Sequence, residues 1–220
     1  MNLAHAAFEP SGSGPYPAIV AFHGWGSNAL DLLAMAPYVA HGRLLALCPQ
    51  GPLVVNRETI GGFAWFPLTS QLELRLADVE SSLKQAEQFL DEALTRYPID
   101  PNRLAVLGFS QGGVIAYGLA LRRPERYAAL VALSSWLPEQ MLAWAENKEA
   151  LSKLSVLVQH GSEDNLVPVE RAREAVARLR TLGVQLVYRE HGGGHEMSSR
   201  ALQELSDYLY RTLVSPIITP

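Results

Sequence analysis

Short apolar runs alternate with longer amphipathic stretches along most of the chain. Several runs are apolar nearly throughout, which is typical of strands whose two sheet faces are both covered. They span residues 18–22, 43–48, 104–108, 129–133, 156–160 and 186–189. The stretches between them carry apolar side chains at helical spacing. They span residues 30–39, 72–97, 111–122, 138–148, 169–182 and 198–213. The alternation predicts an α/β fold with a mostly parallel sheet and right-handed crossovers.

The breaks in this pattern agree with the predicted elements. Pro98 stops the longest helix, and Gly183 ends the helix before the last predicted strand. The longest irregular stretch, residues 50–70, is rich in glycine and proline, and a loop of that length is often functional. Neither an internal repeat nor a linker divides the chain, so residues 1–220 are predicted to form one domain.

Composition narrows the class of protein. The chain is 48% hydrophobic and 18% charged, which is typical of a globular protein, and its net charge of −4 argues against nucleic-acid binding. Cys48 is the only cysteine and lies in an apolar run, so it is predicted to be a core residue rather than part of a disulfide or thiolate cluster. Without a signal-like N-terminus or a membrane-length apolar segment, the sequence predicts a cytoplasmic protein with no stable membrane anchoring.

The segment Gly108-Phe109-Ser110-Gln111-Gly112 matches the pattern G-x-S-x-G. It stands between a predicted strand and a predicted helix, as in the sharp turn that exposes a nucleophilic serine. The small residues at 108 and 112 let strand and helix approach closely, and the backbone N–H of Gln111 would face a developing oxyanion. The competing interpretation is that Ser110 only caps the following helix.

A nucleophilic serine needs a general base, usually a histidine oriented by a carboxylate. In the chain order expected for this fold, only His160, His191 and His195 follow Ser110. His195 is favoured because a glycine-rich loop after a strand can aim it back at the turn. His191 is the local rival, and His160 is interpreted as a structural residue that helps set the next loop.

That next loop carries two candidate acids, Glu163 and Asp164. It leaves a predicted strand and enters a helix, so either carboxylate could face the site. Both are also ordinary loop acids and candidate caps, and their position alone does not separate them.

Two aromatic segments are candidates for the rest of the site. Residues 22–27 follow an early strand, and the backbone N–H of Trp25, between two glycines, is the best second oxyanion donor. Trp25 could instead be a packed aromatic, and His23 is expected to hydrogen-bond neighbouring loops. Trp65 and Phe66 belong to an aromatic cluster at 61–67 that could either cover an apolar substrate pocket or tie the loop to the core.

Together these segments resemble the phospholipase/carboxylesterase family, which includes acyl-protein thioesterases and small bacterial carboxylesterases. The resemblance runs from residue 22 to residue 196 and includes Gly-Phe-Ser-Gln-Gly-Gly at 108–113. It implies an α/β-hydrolase fold with a minimal cap, helices on both sheet faces, and a triad of Ser110, Asp164 and His195. It also implies an oxyanion hole from Trp25 and Gln111. By the same resemblance, Trp65 and Phe66 of the aromatic cluster correspond to a substrate-binding motif beside the acyl site.

The resemblance implies a serine carboxylesterase that acts on small-molecule esters without a metal or cofactor, and it allows for a homodimer. The family commonly has leucine where this chain has Trp25, so a bulkier wall favours short to medium acyl chains. The alternatives are an acyl-protein thioesterase or lysophospholipase and, more remotely, a noncatalytic ligand-binding protein on a hydrolase scaffold. The last would be expected to have a broken triad.

Overall fold

The sheet at the centre of the molecule is almost entirely parallel. A computed structural model describes residues 1–56, 62–69 and 71–215. Their strands are β1 (His5–Phe8), β2 (Tyr16–Phe22), β3 (Leu45–Pro49), β4 (Leu53–Asn56), β5 (Gly62–Ala64), β6 (Ile99–Phe109), β7 (Ala129–Leu133), β8 (Ser155–Gly161) and β9 (Leu186–His191). Seven of them pair in the order β1-β3-β2-β6-β7-β8-β9, with only β1 antiparallel to its neighbour. The strands β4 and β5 form a separate antiparallel hairpin.

Helices cover both faces of the sheet. They are α1 (Ala29–Leu33), α2 (Leu76–Arg96), α3 (Gln111–Arg122), α4 (Lys148–Lys153), α5 (Val169–Thr181) and α6 (Ser199–Leu209). Apolar residues of α2, α3 and α5 pack in one core cluster, and those of α1 and α6 pack in the other. The architecture is therefore the α/β fold that the alternating pattern predicts, and it is that of an α/β hydrolase, as the family resemblance implies. In the described ranges we find no helix with the length and apolarity that a membrane crossing requires.

All six predicted strands are confirmed, with ends that shift by a few residues. The long helix begins at Leu76 rather than at residue 72. The helix predicted over 30–39 is wrong beyond Leu33, where Pro37 and two left-handed residues, Ala40 and His41, interrupt helical geometry. The sequence also missed β1, a short antiparallel edge strand.

The helix predicted over 138–148 is wrong as a continuous element. The chain forms a 3₁₀ helix over Glu139–Trp144 and then starts α4 anew at Lys148. Asn147 caps the new helix, because its side chain accepts a hydrogen bond from the backbone N–H of Ala150 at 3.1 Å. A cap in mid-segment divides a pattern that periodicity alone reads as continuous.

The stretch over 50–70 contains the hairpin of β4 and β5 and is less irregular than predicted. Part of that stretch, residues 57–61 and 70, lies outside the described residues. Phe63 of β5 also pairs with Ser27 in an isolated antiparallel bridge. The hairpin is thereby joined to the loop that follows β2.

The parallel order brings the carboxyl ends of five strands to one edge of the sheet. The strands β2, β6, β7, β8 and β9 lie side by side in that order, and each is parallel to the next. The loops after their carboxyl ends therefore meet at that edge, which is where ligands bind in open α/β sheets. These loops carry the candidate side chains named from the sequence.

Candidate active site

Ser110 occupies a strained turn between β6 and α3. Its backbone has φ 53° and ψ −119°, a conformation that an L-residue adopts only when its surroundings enforce it. The Ser110 N–H donates to the carbonyl of Leu133 at 2.9 Å, and its carbonyl accepts from Ser135 Oγ at 2.7 Å. The Ser110 side chain makes no capping hydrogen bond to α3. A helix cap therefore does not account for the residue.

The glycines on either side are required by close contact. A Cβ on Gly108 would collide with the carbonyl of Gly112, and a Cβ on Gly112 would collide with the carbonyl of Phe22. The start of α3 thus lies directly against the ends of β6 and β2. This contact is the physical reason for the small residues that the sequence pattern shows at 108 and 112.

His195 and Asp164 form a close pair. His195 Nδ1 lies 2.7 Å from Asp164 Oδ2, and the Asp164 side chain is fully buried. The other carboxylate oxygen, Oδ1, accepts the backbone N–H groups of Leu166 at 3.0 Å and Val167 at 2.8 Å. Because the carboxylate is held at both oxygens, it fixes the orientation of the imidazole.

The loop that carries His195 packs closely on the loop that carries Asp164. A Cβ on Gly161 would collide with the carbonyl of Gly194, and Gly193 has φ 120°, which other residues rarely adopt. The His195 ring also packs on Phe109, with 4.9 Å between ring centroids. The glycines therefore bring His195 beside the turn that carries Ser110.

The alternative acid and base named from the sequence, Glu163 and His191, do not form such a pair. Glu163 is exposed, whereas the adjacent Asp164 is buried and bonded to His195. His191 Nε2 lies 3.7 Å from a carboxylate oxygen of Glu204 in α6. The geometry thus favours Asp164 and His195 over Glu163 and His191.

His160 is a second histidine on the Asp164 carboxylate. Its Nε2 lies 2.8 Å from the Val167 carbonyl and 3.2 Å from Asp164 Oδ2, and both side chains are buried. Two acceptors next to one nitrogen require that Nε2 carries the proton. Burial lowers the pKa of His160, so the ring is held neutral and donates to the Val167 carbonyl, with the Asp164 carboxylate close to the same nitrogen. The sequence expected a structural role for this histidine but not the contact with Asp164.

The loop after β2 passes close to Ser110. A Cβ on Gly24 would lie 3.3 Å from Ser110 Cβ. The Ser27 N–H donates to the Gly24 carbonyl within the turn, and the Gly26 N–H donates to the Phe63 carbonyl of β5. Among the described residues, no protein acceptor takes the N–H of Trp25 or of Gln111. Two free N–H groups close to the serine are what an oxyanion hole requires.

His23 joins the loop after β2 to the start of the hairpin segment. It accepts from the Gly51 N–H at Nε2 (2.9 Å) and contacts the Gly24 carbonyl through Nδ1 (2.7 Å). These partners define the tautomer with the proton on Nδ1. Burial lowers the pKa of His23 and so favours this neutral form. The expectation that His23 bonds neighbouring loops is confirmed.

The side chain of Gln111 has a function that the sequence did not reveal. Its Oε1 accepts from the Trp65 N–H at 2.8 Å, and its Nε2 donates to the Phe66 carbonyl at 2.7 Å. Gln111 is completely buried. The amide therefore joins the turn at Ser110 to the segment that follows β5, while the backbone N–H remains free of a described acceptor.

The structure corrects the expectation that Trp65 and Phe66 bind substrate. Both side chains are buried in the core, and neither lines the depression that contains Ser110. The Trp65 indole donates to the His23 carbonyl at 3.0 Å and packs edge-on against Phe22. These aromatics anchor the segment after the hairpin to the core, which is the second of the two interpretations. Cys48 is also a core residue, and burial raises the pKa of its thiol to about 12.

Ser110 and His195 line the same open depression, of about 560 Å³. Trp25 contributes to its wall with an indole that is 43% exposed, so Trp25 is not a packed core aromatic. Apolar side chains form much of the rest: Leu68, Leu72, Phe109, Leu166 and Val167. The Ser110 hydroxyl does not hydrogen-bond to His195 here, and such contacts are often long in enzymes without substrate and tighten in the complex.

The phospholipase/carboxylesterase sequence profile matches residues 3–213. The chain belongs to this family. A carboxylesterase of Arabidopsis thaliana, SOBER1, is 25% identical over 176 residues, which cover 77% of this chain and 76% of that protein. Acyl-protein thioesterase 1 of Gibberella zeae is 27% identical over 202 residues, or 87% of this chain and 85% of that protein.

Solved structures of esterases share the family fold. Esterase PE8 is 27% identical and superposes with a TM-score of 0.80, covering 97% of this chain and 100% of that one. The Bacillus cereus carboxylesterase is 20% identical and also has a TM-score of 0.80, covering 96% and 94% of the two chains. The family and these structures identify the chain as an esterase-type hydrolase with the α/β-hydrolase fold.

Proposed function

We propose that this protein is a serine carboxylesterase in which Ser110 is the nucleophile, His195 the general base and Asp164 the acid that orients it. One observation carries the proposal: His195, bonded to the buried Asp164 at 2.7 Å, shares a depression with the strained Ser110. A serine in such a turn, with a base and a bonded acid in this chain order, performs acyl transfer.

The reaction proceeds through an acyl-enzyme. His195 takes the proton of Ser110 as the hydroxyl oxygen attacks the ester carbonyl carbon. The imidazolium then gives that proton to the departing alcohol oxygen as the bond between carbon and oxygen breaks. Water attacks the acyl-enzyme with the same assistance and releases the acid. Asp164 holds the tautomer and stabilises the imidazolium throughout.

The backbone N–H groups of Trp25 and Gln111 are proposed to stabilise the negative oxygen of each tetrahedral intermediate. Both groups are free of described acceptors, and the loop of Trp25 lies against Ser110. Loss of one such donor typically reduces kcat by about 100- to 1000-fold, equivalent to roughly 3–4 kcal/mol. In this cycle the chain, the ester and water supply every proton and electron pair.

A thioesterase is the second candidate, because the chain is similar to an acyl-protein thioesterase over most of its length. The acyl-enzyme chemistry is the same for an ester and a thioester. The substrate is proposed to be an ester of short to medium acyl chain, since the half-exposed Trp25 indole forms a wall of the depression. Family members acting on lysophospholipids define a third substrate class to compare.

The test compares wild type, Ser110→Ala and the control Ser162→Ala, which removes an exposed hydroxyl from the loop of Asp164. Each is assayed with short aryl esters, long-chain acyl thioesters and lysophospholipids. We expect Ser110→Ala to keep the thermal transition of the wild type and to lose turnover, with short esters preferred by wild type and control. Turnover by folded Ser110→Ala would overturn the proposed nucleophile. A preference for long thioesters would select the second candidate.

A further inference from the structure

A second depression adjoins the one that holds Ser110. It has a volume of about 470 Å³ and lies between α1, the chain that follows α1, and the start of α6. The two depressions share the side chains of Asp31, Phe109 and His195. They are therefore two branches of one groove that divides at the His195 imidazole.

The branches differ in which reacting group they reach. The first branch contains Ser110 and Trp25, whereas the second contains His195 but not Ser110. During acylation the bond from carbon to the leaving oxygen breaks, and that oxygen takes its proton from His195. The leaving oxygen must therefore lie beside the imidazole, and the group attached to it must extend past His195.

We propose that the second branch binds the leaving group of the substrate, while the first binds the acyl chain. This assignment rests on the proposed function, in which Ser110 attacks and His195 protonates the leaving atom. The bond formed joins Ser110 Oγ to the carbonyl carbon, the bond broken releases the alcohol or thiol, and the proton passes from Ser110 through His195 to that leaving atom.

The lining of the second branch indicates the class of leaving group. Its wall is mainly apolar and includes the following side chains: Leu32, Met35, Tyr38, Met197 and Leu202. Methionine adapts to ligands of irregular shape, and the Tyr38 ring is 68% exposed and free to cover a bound group. An aryl or branched alkyl alcohol or thiol fits this surface better than a small polar alcohol.

The charge of Asp31, where the groove divides, gives a second criterion for the class of leaving group. Asp31 lines both branches, accepts a hydrogen bond from Ser27 Oγ at 2.7 Å and forms no ion pair with a described residue. Among residues 1–56, 62–69 and 71–215, no lysine or arginine lines either branch. A unit charge about 4 Å away in water alters binding roughly fivefold, so neutral or cationic leaving groups are preferred to anionic ones.

The experiment uses two ester series and three exposed side chains. One series keeps an acetyl group and varies the leaving group from methanol to 2-naphthol; the other keeps 4-nitrophenol and varies the acyl chain. Tyr38→Ala changes the second branch, Leu166→Ala changes the first, and Leu30→Ala is a control on α1 that lines neither. These side chains are 68%, 68% and 65% exposed, so their truncation leaves the core intact.

Tyr38→Ala is expected to lower kcat/KM for the naphthyl ester about fivefold relative to the methyl ester, which corresponds to roughly 40 Å² of lost apolar contact. The acyl-chain profile of this variant should match that of wild type. Leu166→Ala should alter the acyl-chain profile and leave the leaving-group profile as in wild type. The deacylation rate of a preformed acetyl-enzyme, from which the leaving group has gone, should be the same in Tyr38→Ala as in wild type.

Charge is tested with acetate esters of phenol, of 4-hydroxybenzoate and of a phenol bearing trimethylammonium. Asp31→Asn keeps the side-chain shape, and Glu9→Gln removes an exposed acid from the opposite edge of the sheet. We expect Asp31→Asn, but not Glu9→Gln, to raise the ratio of kcat/KM for the anionic ester to that for the neutral ester about fivefold.

The outcomes separate this proposal from the proposed function. If Ser110→Ala is inactive but Tyr38→Ala alters only the acyl-chain profile, or both profiles equally, the proposed function stands and the branch assignment is overturned. An unchanged charge ratio in Asp31→Asn would overturn the charge criterion. Turnover by folded Ser110→Ala would overturn both proposals together.

Discussion

Replacing Gln111 with leucine tests the connection between the turn at Ser110 and the segment after the hairpin. Leucine preserves most of the buried volume and retains the backbone N–H that is proposed to face the oxyanion. It removes the amide that bonds the Trp65 N–H and the Phe66 carbonyl. These two backbone groups would then be buried without a partner, because Gln111 and both aromatic residues lie inside the core.

The expected loss follows from these two contacts. An unsatisfied buried donor or acceptor costs about 1–3 kcal/mol, so two of them reduce the free energy of unfolding by roughly 2–6 kcal/mol. In a protein of about this size, 1 kcal/mol shifts the melting temperature by roughly 2–4 °C. We therefore expect Gln111→Leu to melt roughly 10 °C below wild type.

Urea unfolding and thermal melting measure the stability, and an aryl-ester assay at a temperature where the variant is folded measures kcat. Because the backbone N–H remains, kcat should fall by less than the roughly 100-fold loss typical of a missing oxyanion donor. Gln88→Leu, on the exposed surface of α2, is the control. A Gln111→Leu protein within 1 kcal/mol of that control would refute the reasoning, since it would mean that the two backbone groups find other partners.

Three further predictions concern the contact at Gly112, the neutral ring of His160 and the indole of Trp25. Gly112→Ala should yield little folded protein, because its Cβ collides with the Phe22 carbonyl; a normal melting curve with full activity would contradict the proposed contact. His160 is held neutral with a lowered pKa, so its contribution to stability is full above the unfolded value of about 6.5 and is lost as pH falls below it. His160→Gln should consequently flatten part of the decline in unfolding free energy between pH 7.5 and pH 5, and an equally steep decline would count against this role. Trp25→Leu should move the optimum of an aryl-ester series toward longer acyl chains, and an unmoved optimum would show that the indole does not set acyl preference.

The residues at the carboxyl edge of the sheet could be predicted from the sequence because their order and local pattern carry the information. A parallel sheet brings the ends of its strands together, so Ser110, Asp164 and His195 needed only the correct strand order to be brought to one edge. The turn at Ser110 has a local steric signature in its two glycines. By contrast, the choice between Glu163 and Asp164 depended on family resemblance, since burial distinguishes them and spacing does not.

What the sequence could not supply depends on contacts between distant segments. An aromatic run such as Trp65-Phe66 reads the same whether it faces a ligand or the core, and only the neighbours across the fold decide. The Gln111 amide joins residues more than forty positions away. The contact of His160 with Asp164 likewise depends on the shape of the loop after β8, which brings the two side chains within 3.2 Å.

Helix boundaries are harder to predict from this sequence than strands. Strands such as β7 and β8 are apolar throughout and lie in the core, so burial and pattern coincide. The segment 138–148 is divided instead by the Asn147 cap, a single polar contact within an otherwise periodic stretch. One side-chain bond outweighed the helical spacing there.

Mass analysis of the protein after reaction with a fluorophosphonate tests the central claim most directly. A phosphonyl adduct on the peptide that contains Ser110, formed in step with the loss of esterase activity, is the predicted result. Asp164→Asn and His195→Ala should react far more slowly, because the hydroxyl then lacks its oriented base. An adduct on another serine, or complete loss of activity with Ser110 unmodified, would contradict the assignment of Ser110 as the nucleophile.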